Sequence, residues 1–244
     1  MAQSHPVLLE GRQPDYNDVL TTIRTKRYSM NADLLLSVLI GYLLGSIPFT
    51  QVVAKSVKGI DLREVGSLNV GGRNLIRNAG LGWGLVGGIL DGIKGMAAIA
   101  VAQAMAIPTP MAFLAGMAAV AGHNWPIWLG FRGGKGLATA LGVALWVIPI
   151  QALISFGVAL AIFLPTRNIL LTALTGFISL FLTIEILSPT NDYRLLAWGL
   201  FIVVLIASFP DILRKLRISG GVQEYMRNPN RVYEEEAKER ERDD

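Results

Sequence analysis

The chain contains no cysteine, and His5 and His123 are its only histidines. Without a thiol there is no disulfide, no cysteine nucleophile and no thiolate-held metal. Two histidines so far apart also argue against a histidine-rich metal centre. Charge is scarce as well, at 16% Asp, Glu, Lys and Arg, where a soluble domain carries roughly 25%. Alternating apolar and polar residues, the mark of a membrane β-barrel, are missing. What is present instead is 52% hydrophobic residues gathered into continuous runs of spanning length. The expected fold class is an all-α membrane protein. The excess of +4 charges needs no nucleic acid, because the cytoplasmic loops of membrane proteins collect Lys and Arg. The 26 glycines suit close helix packing and loops alike.

Residues 1–32 read as a polar N-terminal tail, partly helical, with no cleavable signal pattern. A membrane domain is expected over 33–217 and a charged tail over 218–244, solvated or disordered. Within the domain the apolar runs predict about seven spans: Asp33–Val53, Leu81–Ala106, Met111–Trp128, Leu137–Ile150, Gln151–Leu164, Ile169–Leu187 and Leu195–Ile212. Seven crossings put the loop Lys55–Arg77, the loop Gly133–Gly136, Arg167 and the basic segment Arg214–Arg217 on one face. The turns on the other face carry no Lys or Arg. The positive-inside rule then gives an outside N-terminus and a cytoplasmic C-terminus, with Arg24, Lys26 and Arg27 arguing the other way. No internal repeat is evident.

The polar stretches between spans carry the chemistry. Gly66, Ser67, Asn69, Gly71, Arg73 and Asn74 belong to a glycine-rich loop among Lys55, Lys58, Arg63 and Arg77. Such a loop bends readily, and its N–H groups can converge on an anion. Gly133, Gly134, Lys135 and Gly136 make a second cationic loop, followed by Thr139. Two such loops at one membrane face suit phosphorylated molecules. Asp91 and Lys94, at i and i+3 inside a span, predict an internal ion pair. His123, at a span end, reads more readily as a hydrogen-bonded structural residue than as a base.

Six segments in order, from Gly45-Ser46-Ile47-Pro48 through Asp61-Leu62-Arg63, Gly66–Asn74, Asp91–Gly95 and Gly122–Pro126 to Gly133–Thr139, resemble the bacterial integral-membrane glycerol-3-phosphate acyltransferases that use acyl phosphate. The resemblance runs from about Leu34 to Thr139 and more weakly to about Gly221. It implies transfer of a fatty acyl group from acyl phosphate to the 1-hydroxyl of glycerol-3-phosphate, giving lysophosphatidic acid and phosphate. It also implies a multi-pass protein of the bacterial cell membrane with its site facing the cytoplasm. Metal and other cofactors are not expected. The expected partners are the two substrates, membrane lipids and the enzyme that supplies acyl phosphate. Ser46, Arg63 and Lys135 become the expected catalytic residues, and the other loop residues and Thr139 the substrate and phosphate contacts.

The chain departs from the family pattern in three places. Leu68, Gly72 and Arg73 stand where the loop usually reads Gly, Ala and Thr. After the last span the usual His-x-x-Asn-Ile-x-Arg aligns with Ser208, Asp211, Ile212 and Arg214. Leu170 and Ala173 replace serines expected after Thr166-Arg167. These departures motivate a second reading, a non-catalytic or altered-substrate relative that binds phosphorylated lipid precursors or regulates a true enzyme. A small transporter ranks third, lacking a repeat. A His-x4-Asp dyad is absent, since Trp128 and Glu10 stand at that distance from His123 and His5.

Overall fold

A computed structural model describes residues 16–227, with side chains described for residues 30–225. Expectations for residues 1–15 and for the tail beyond 227 lie outside the described residues. Among the described residues the secondary structure is helical: α1 Tyr16–Ser46, α2 Phe49–Lys58, α3 Gly72–Ala79, α4 Leu81–Ala104, α5 Thr109–Asn124, α6 Leu137–Val147, α7 Pro149–Thr166, α8 Ile169–Leu187, α9 Asn191–Ser219 and α10 Val222–Arg227. A 3-10 turn covers Ile127–Leu129.

Among the described residues, five stretches are long and apolar enough to cross a membrane: Met30–Lys58, Leu81–Ala104, Pro149–Thr166, Ile169–Leu187 and Asn191–Ser219. The third and fourth expected spans shrink, to 16 residues in α5 and 11 in α6. Proline explains both losses. Trp125-Pro126 stops α5 short of Trp128, and the chain breaks at Ile148 before Pro149 opens α7. Other boundaries lengthen. Helix α1 begins well before Asp33, and α9 runs through Pro210 to Ser219 instead of stopping at Ile212. The expected loop Lys55–Arg77 also contains structure, because α2 continues to Lys58 and Gly72 opens α3.

Lipid-facing helices gain little from the hydrophobic effect on meeting one another, so close backbone approach and dispersion must hold them. This bundle does so through glycine. A Cβ on Gly41 or Gly45 of α1 would collide with the carbonyl oxygens of Ala115 or Ala119 on α5. Gly95 and Gly142 make the same close approach between α4 and α6. Around this seam lies an apolar core of Ile99, Val120, Val143, Ile184, Leu196 and Leu200. Leu35, Leu39, Ile89, Leu182 and Ile206 face outward, as lipid contact requires.

Hydrogen bonds mark the two ends of the bundle. At one end Trp146 Nε1 donates to Gln103 Oε1 (3.0 Å) and Gln151 Nε2 to Ser188 Oγ (3.1 Å). Near this end Arg194 is neutralised by a two-pronged pair with Glu185 at 2.7 Å. The opposite end gathers the glycine loops, Arg167 and the last turns of α9.

Candidate active site

Asn74 builds the first loop. It is buried in the first turn of α3, and its Nδ2 donates to the carbonyls of Leu62 (3.0 Å), Val65 (3.0 Å) and Asn69 (3.1 Å). Its Oδ1 accepts from Ser67 N–H and from Asn78 Nδ2, both at 3.1 Å. One amide thus stitches the loop closed, so Asn74 organises the backbone more than it offers donors to a ligand. Gly66, with φ +57°, must be glycine because a Cβ would strike that same Oδ1.

Leu68 also adopts the left-handed region, at φ +57°. A leucine there costs about 1–2 kcal/mol. Its side chain is 39% exposed and recovers little by burial. Leu68→Gly, which restores the residue of the family pattern, removes that strain but adds about 0.5–1 kcal/mol of unfolded-chain entropy. The expected net is a stabilisation below about 1 kcal/mol, read by thermal unfolding in detergent. A clear destabilisation would show that the Leu68 side chain is a needed wall.

The second loop folds onto the first. Gly133 and Gly134 donate to the carbonyls of Asn124 (3.2 Å) and His123 (3.0 Å), and Val70 N–H donates to Gly133 O (3.3 Å). Added Cβ atoms at Gly133 and Gly134 would collide with His123 O, His123 Nε2 and Val70 O. The loops predicted to converge therefore share one surface.

Two cavities open along it. The larger, about 300 Å³, is lined by Ser67, Asn69, Asn124, Gly133, Lys135 and Asp211, among others. The smaller, about 210 Å³, is lined by Gly71, Gly72, Arg73, Asp91, His123 and Lys215 and has an apolar side of Gly88, Leu137, Ala138 and Ile169. Ser67, Asn69 and Lys135 line both. Gly72, Arg73 and Asn74 of the first turn of α3 line the smaller cavity, and the leading N–H groups of a helix have no intrahelical acceptors.

Lys135 makes an ion pair with Asp211, which also pairs with Lys215 Nζ (2.9 Å) and Arg214 Nη2 (3.1 Å). Arg73 lines the smaller cavity while its guanidinium donates to Arg167 O (2.6 Å) and lies 5.7 Å from the Phe163 ring. It closes the C-terminal end of α7, a cation where the helix dipole is negative.

The wall of the smaller cavity at Asp91 and His123 belongs to a buried polar cluster. Asp91 pairs with Lys94 at 2.9 Å, the geometry that the i, i+3 spacing allows. Thr50 Oγ1 donates to the same carboxylate, and His123 Nδ1 lies 3.6 Å from it. Lys94 Nζ also donates to Ile47 O (2.8 Å) at the elbow between α1 and α2.

Several expected site residues stand elsewhere. Arg63 lines neither cavity. Its guanidinium pairs with Asp61 at 2.6 Å and donates to Leu129 O (3.2 Å), tying the first loop to the 3-10 turn. That contact holds the Asp61 carboxyl down at about 2, the hydrogen bond from Arg63 outweighing partial burial. Ser46 and Thr139 are fully buried, their hydroxyls without a hydrogen-bond partner, and neither lines a cavity. Gly66 and Lys94 also lie behind the lining. Conversely, the cavities include Asn124, Trp125, Asp211, Arg214 and Lys215, which were not among the expected contacts. The charge density of Arg214–Arg217 was the available signal for the last of these. No group of His, Asp or Glu among the described residues has the geometry to hold a metal.

The described residues are those of a polytopic helical membrane protein, with a glycine-walled pair of cavities lined by Lys135, Arg73, Arg214 and Lys215 at one end. A model of the family described as glycerol-3-phosphate acyltransferase matches residues 35–217. The chain is 39% identical over 188 residues to glycerol-3-phosphate acyltransferase 1 of Dehalococcoides mccartyi, covering 75% of this chain and 90% of that one. It is 47% identical over 146 residues to glycerol-3-phosphate acyltransferase of Aquifex aeolicus, covering 59% and 76%. It superposes with a TM-score of 0.67, at 40% identity, on a crystal structure of PlsY (YgiH), an integral membrane glycerol 3-phosphate acyltransferase, in its glycerol 3-phosphate form. That match covers 74% of this chain and 90% of the other; a lysophosphatidic acid form matches at 0.66. The chain belongs to the glycerol-3-phosphate acyltransferase family.

Proposed function

We propose that this chain transfers a fatty acyl group from acyl phosphate to the 1-hydroxyl of glycerol-3-phosphate. The observation that carries the reading is the junction of the glycine loops, with Lys135 lining the cavities on both sides of it. Glycerol-3-phosphate fits the larger, more polar cavity against Ser67, Lys135 and Arg214. Acyl phosphate fits the smaller one, its phosphate at the first turn of α3 and its chain leaving past Gly88, Leu137 and Ile169.

An acyl phosphate is a mixed anhydride with a good leaving group, so a protein nucleophile is not required. The 1-hydroxyl oxygen attacks the acyl carbon, the bond from that carbon to the bridging phosphate oxygen breaks, and phosphate departs with the electron pair. A substrate phosphate oxygen takes the hydroxyl proton. The protein holds two anions together and stabilises charge growing on the carbonyl oxygen, the work of Lys135 and loop N–H groups. Arg63 and Asn74 fit positioning roles. Contact between substrate and the buried Ser46 hydroxyl would require the α1–α2 elbow to part.

The same reading makes seven crossings, with the shorter α5 and α6 completing the bundle, an outside N-terminus and a cytoplasmic site. Its support is charge: Lys55, Lys58, Arg63, Arg77, Lys135, Arg167 and Lys215 gather at the loop end, whereas Arg194 at the other end is neutralised by Glu185. The membrane is then the bacterial cell membrane, and the enzyme that makes acyl phosphate is a neighbour there.

The purified chain in lipid vesicles should convert acyl phosphate and glycerol-3-phosphate into lysophosphatidic acid and phosphate in equal amounts. Binding of glycerol-3-phosphate without turnover would favour the non-catalytic reading that Asp211 and Ser208 motivate.

A further inference from the structure

Asp211 places a negative charge on the wall of a cavity otherwise suited to phosphate. Its carboxylate does not lie at the rim. It accepts from Lys135 across the loop, from Lys215 one turn further along α9, and from Arg214 between them. The Lys215 side chain is only 4% exposed and that of Asp211 19%, so water screens these charges poorly. Lys135 and Arg214 line the larger cavity and Lys215 the smaller, and with the one carboxylate this cluster carries a net charge of two, close to that of a phosphate monoester at neutral pH. A bound phosphate would thus be neutralised without excess. With a neutral residue at 211 the same cations would over-neutralise it and hold it harder.

We propose that Asp211 is a resident competitor for the phosphate-binding cations, setting a weaker affinity for phosphorylated substrate and for the released inorganic phosphate. Glycerol-3-phosphate and phosphate must displace or share the lysine N–H groups that Asp211 occupies, and they do so against its charge. Asn124 adds a second acceptor on the same wall: it is buried, and its Oδ1 has no hydrogen-bond partner. The cavity is therefore less cationic than its lysine and arginine lining suggests. This inference rests on the placement of glycerol-3-phosphate beside Lys135.

The test compares Asp211→Asn, Asp211→Glu, Lys135→Ala and the parent in lipid vesicles, reading KM for glycerol-3-phosphate, the inhibition constant of inorganic phosphate, and kcat. Asp211→Asn should lower both constants about tenfold, the change that removal of ~1.4 kcal/mol of repulsion produces, without raising kcat. Asp211→Glu, which keeps the charge, should not reproduce that drop. Higher or unchanged constants in Asp211→Asn would overturn the inference, since Asp211 would then only orient the lysines. Should the asparagine variant not fold, Asp211→Ser supplies the same comparison. If Lys135→Ala leaves KM for glycerol-3-phosphate unchanged, the placement itself is wrong, whatever the Asp211 variants do.

Discussion

Lys135→Ala should lower acyl transfer about 10²–10³-fold, the usual effect of removing one donor that stabilises charge in an acyl-transfer transition state. Lys135 lines both cavities from the junction of the two loops, so both phosphates lose a partner at once. KM for each substrate should rise and kcat should fall. The fold should survive, because the Lys135 side chain is only part-buried and Asp211 keeps Lys215 and Arg214 as partners. His123→Ala, by contrast, should keep most of the activity if a substrate oxygen takes the proton. A variant Lys135→Ala with near-parental rates, or an inactive His123→Ala with an intact fold, would contradict this mechanism.

Asp91→Ala should produce the largest loss of stability. It leaves the Lys94 ammonium, 2% exposed, with Ile47 O as its remaining polar contact among those described. Breaking a buried pair from one side costs about 3–5 kcal/mol, because the surviving charge stays out of water without a counter-ion. Thr50 loses its acceptor as well, and His123 loses the carboxylate 3.6 Å from its Nδ1. Replacing Asp91 and Lys94 together by leucine should restore much of that loss, since no charge is then stranded. Thermal unfolding of the single and double variants in one detergent gives the comparison. A double variant less stable than Asp91→Ala would mean the pair contributes net stability beyond its own desolvation.

Much of the site was legible before the structure because its signals are local. Glycine beside Arg or Lys between apolar runs marks a bendable cationic loop, and i, i+3 spacing places Asp91 over Lys94 whatever surrounds them. The rest depends on how helices rotate against one another. Arg63 lies in the expected loop, yet its guanidinium turns to Asp61 and Leu129 O instead of the cavities. The Asp211 cluster was hidden because the last span was expected to end at Ile212; α9 continues to Ser219 and carries Arg214 and Lys215 to the loops. The bounds of the third and fourth expected spans moved where hydrophobicity outlasts helicity. Residues up to Trp128 and Ile150 are apolar, but Pro126 and Pro149 end α5 and α6 earlier.

The absence of cysteine allows the most direct test of a phosphate-accepting site at the loop junction. Ala207 lines the larger cavity on α9. In Ala207→Cys, a membrane-impermeant thiol reagent should label the chain in inside-out vesicles, and glycerol-3-phosphate should slow that labelling while glycerol does not. Labelling from the opposite side only, or labelling indifferent to glycerol-3-phosphate, would contradict the account.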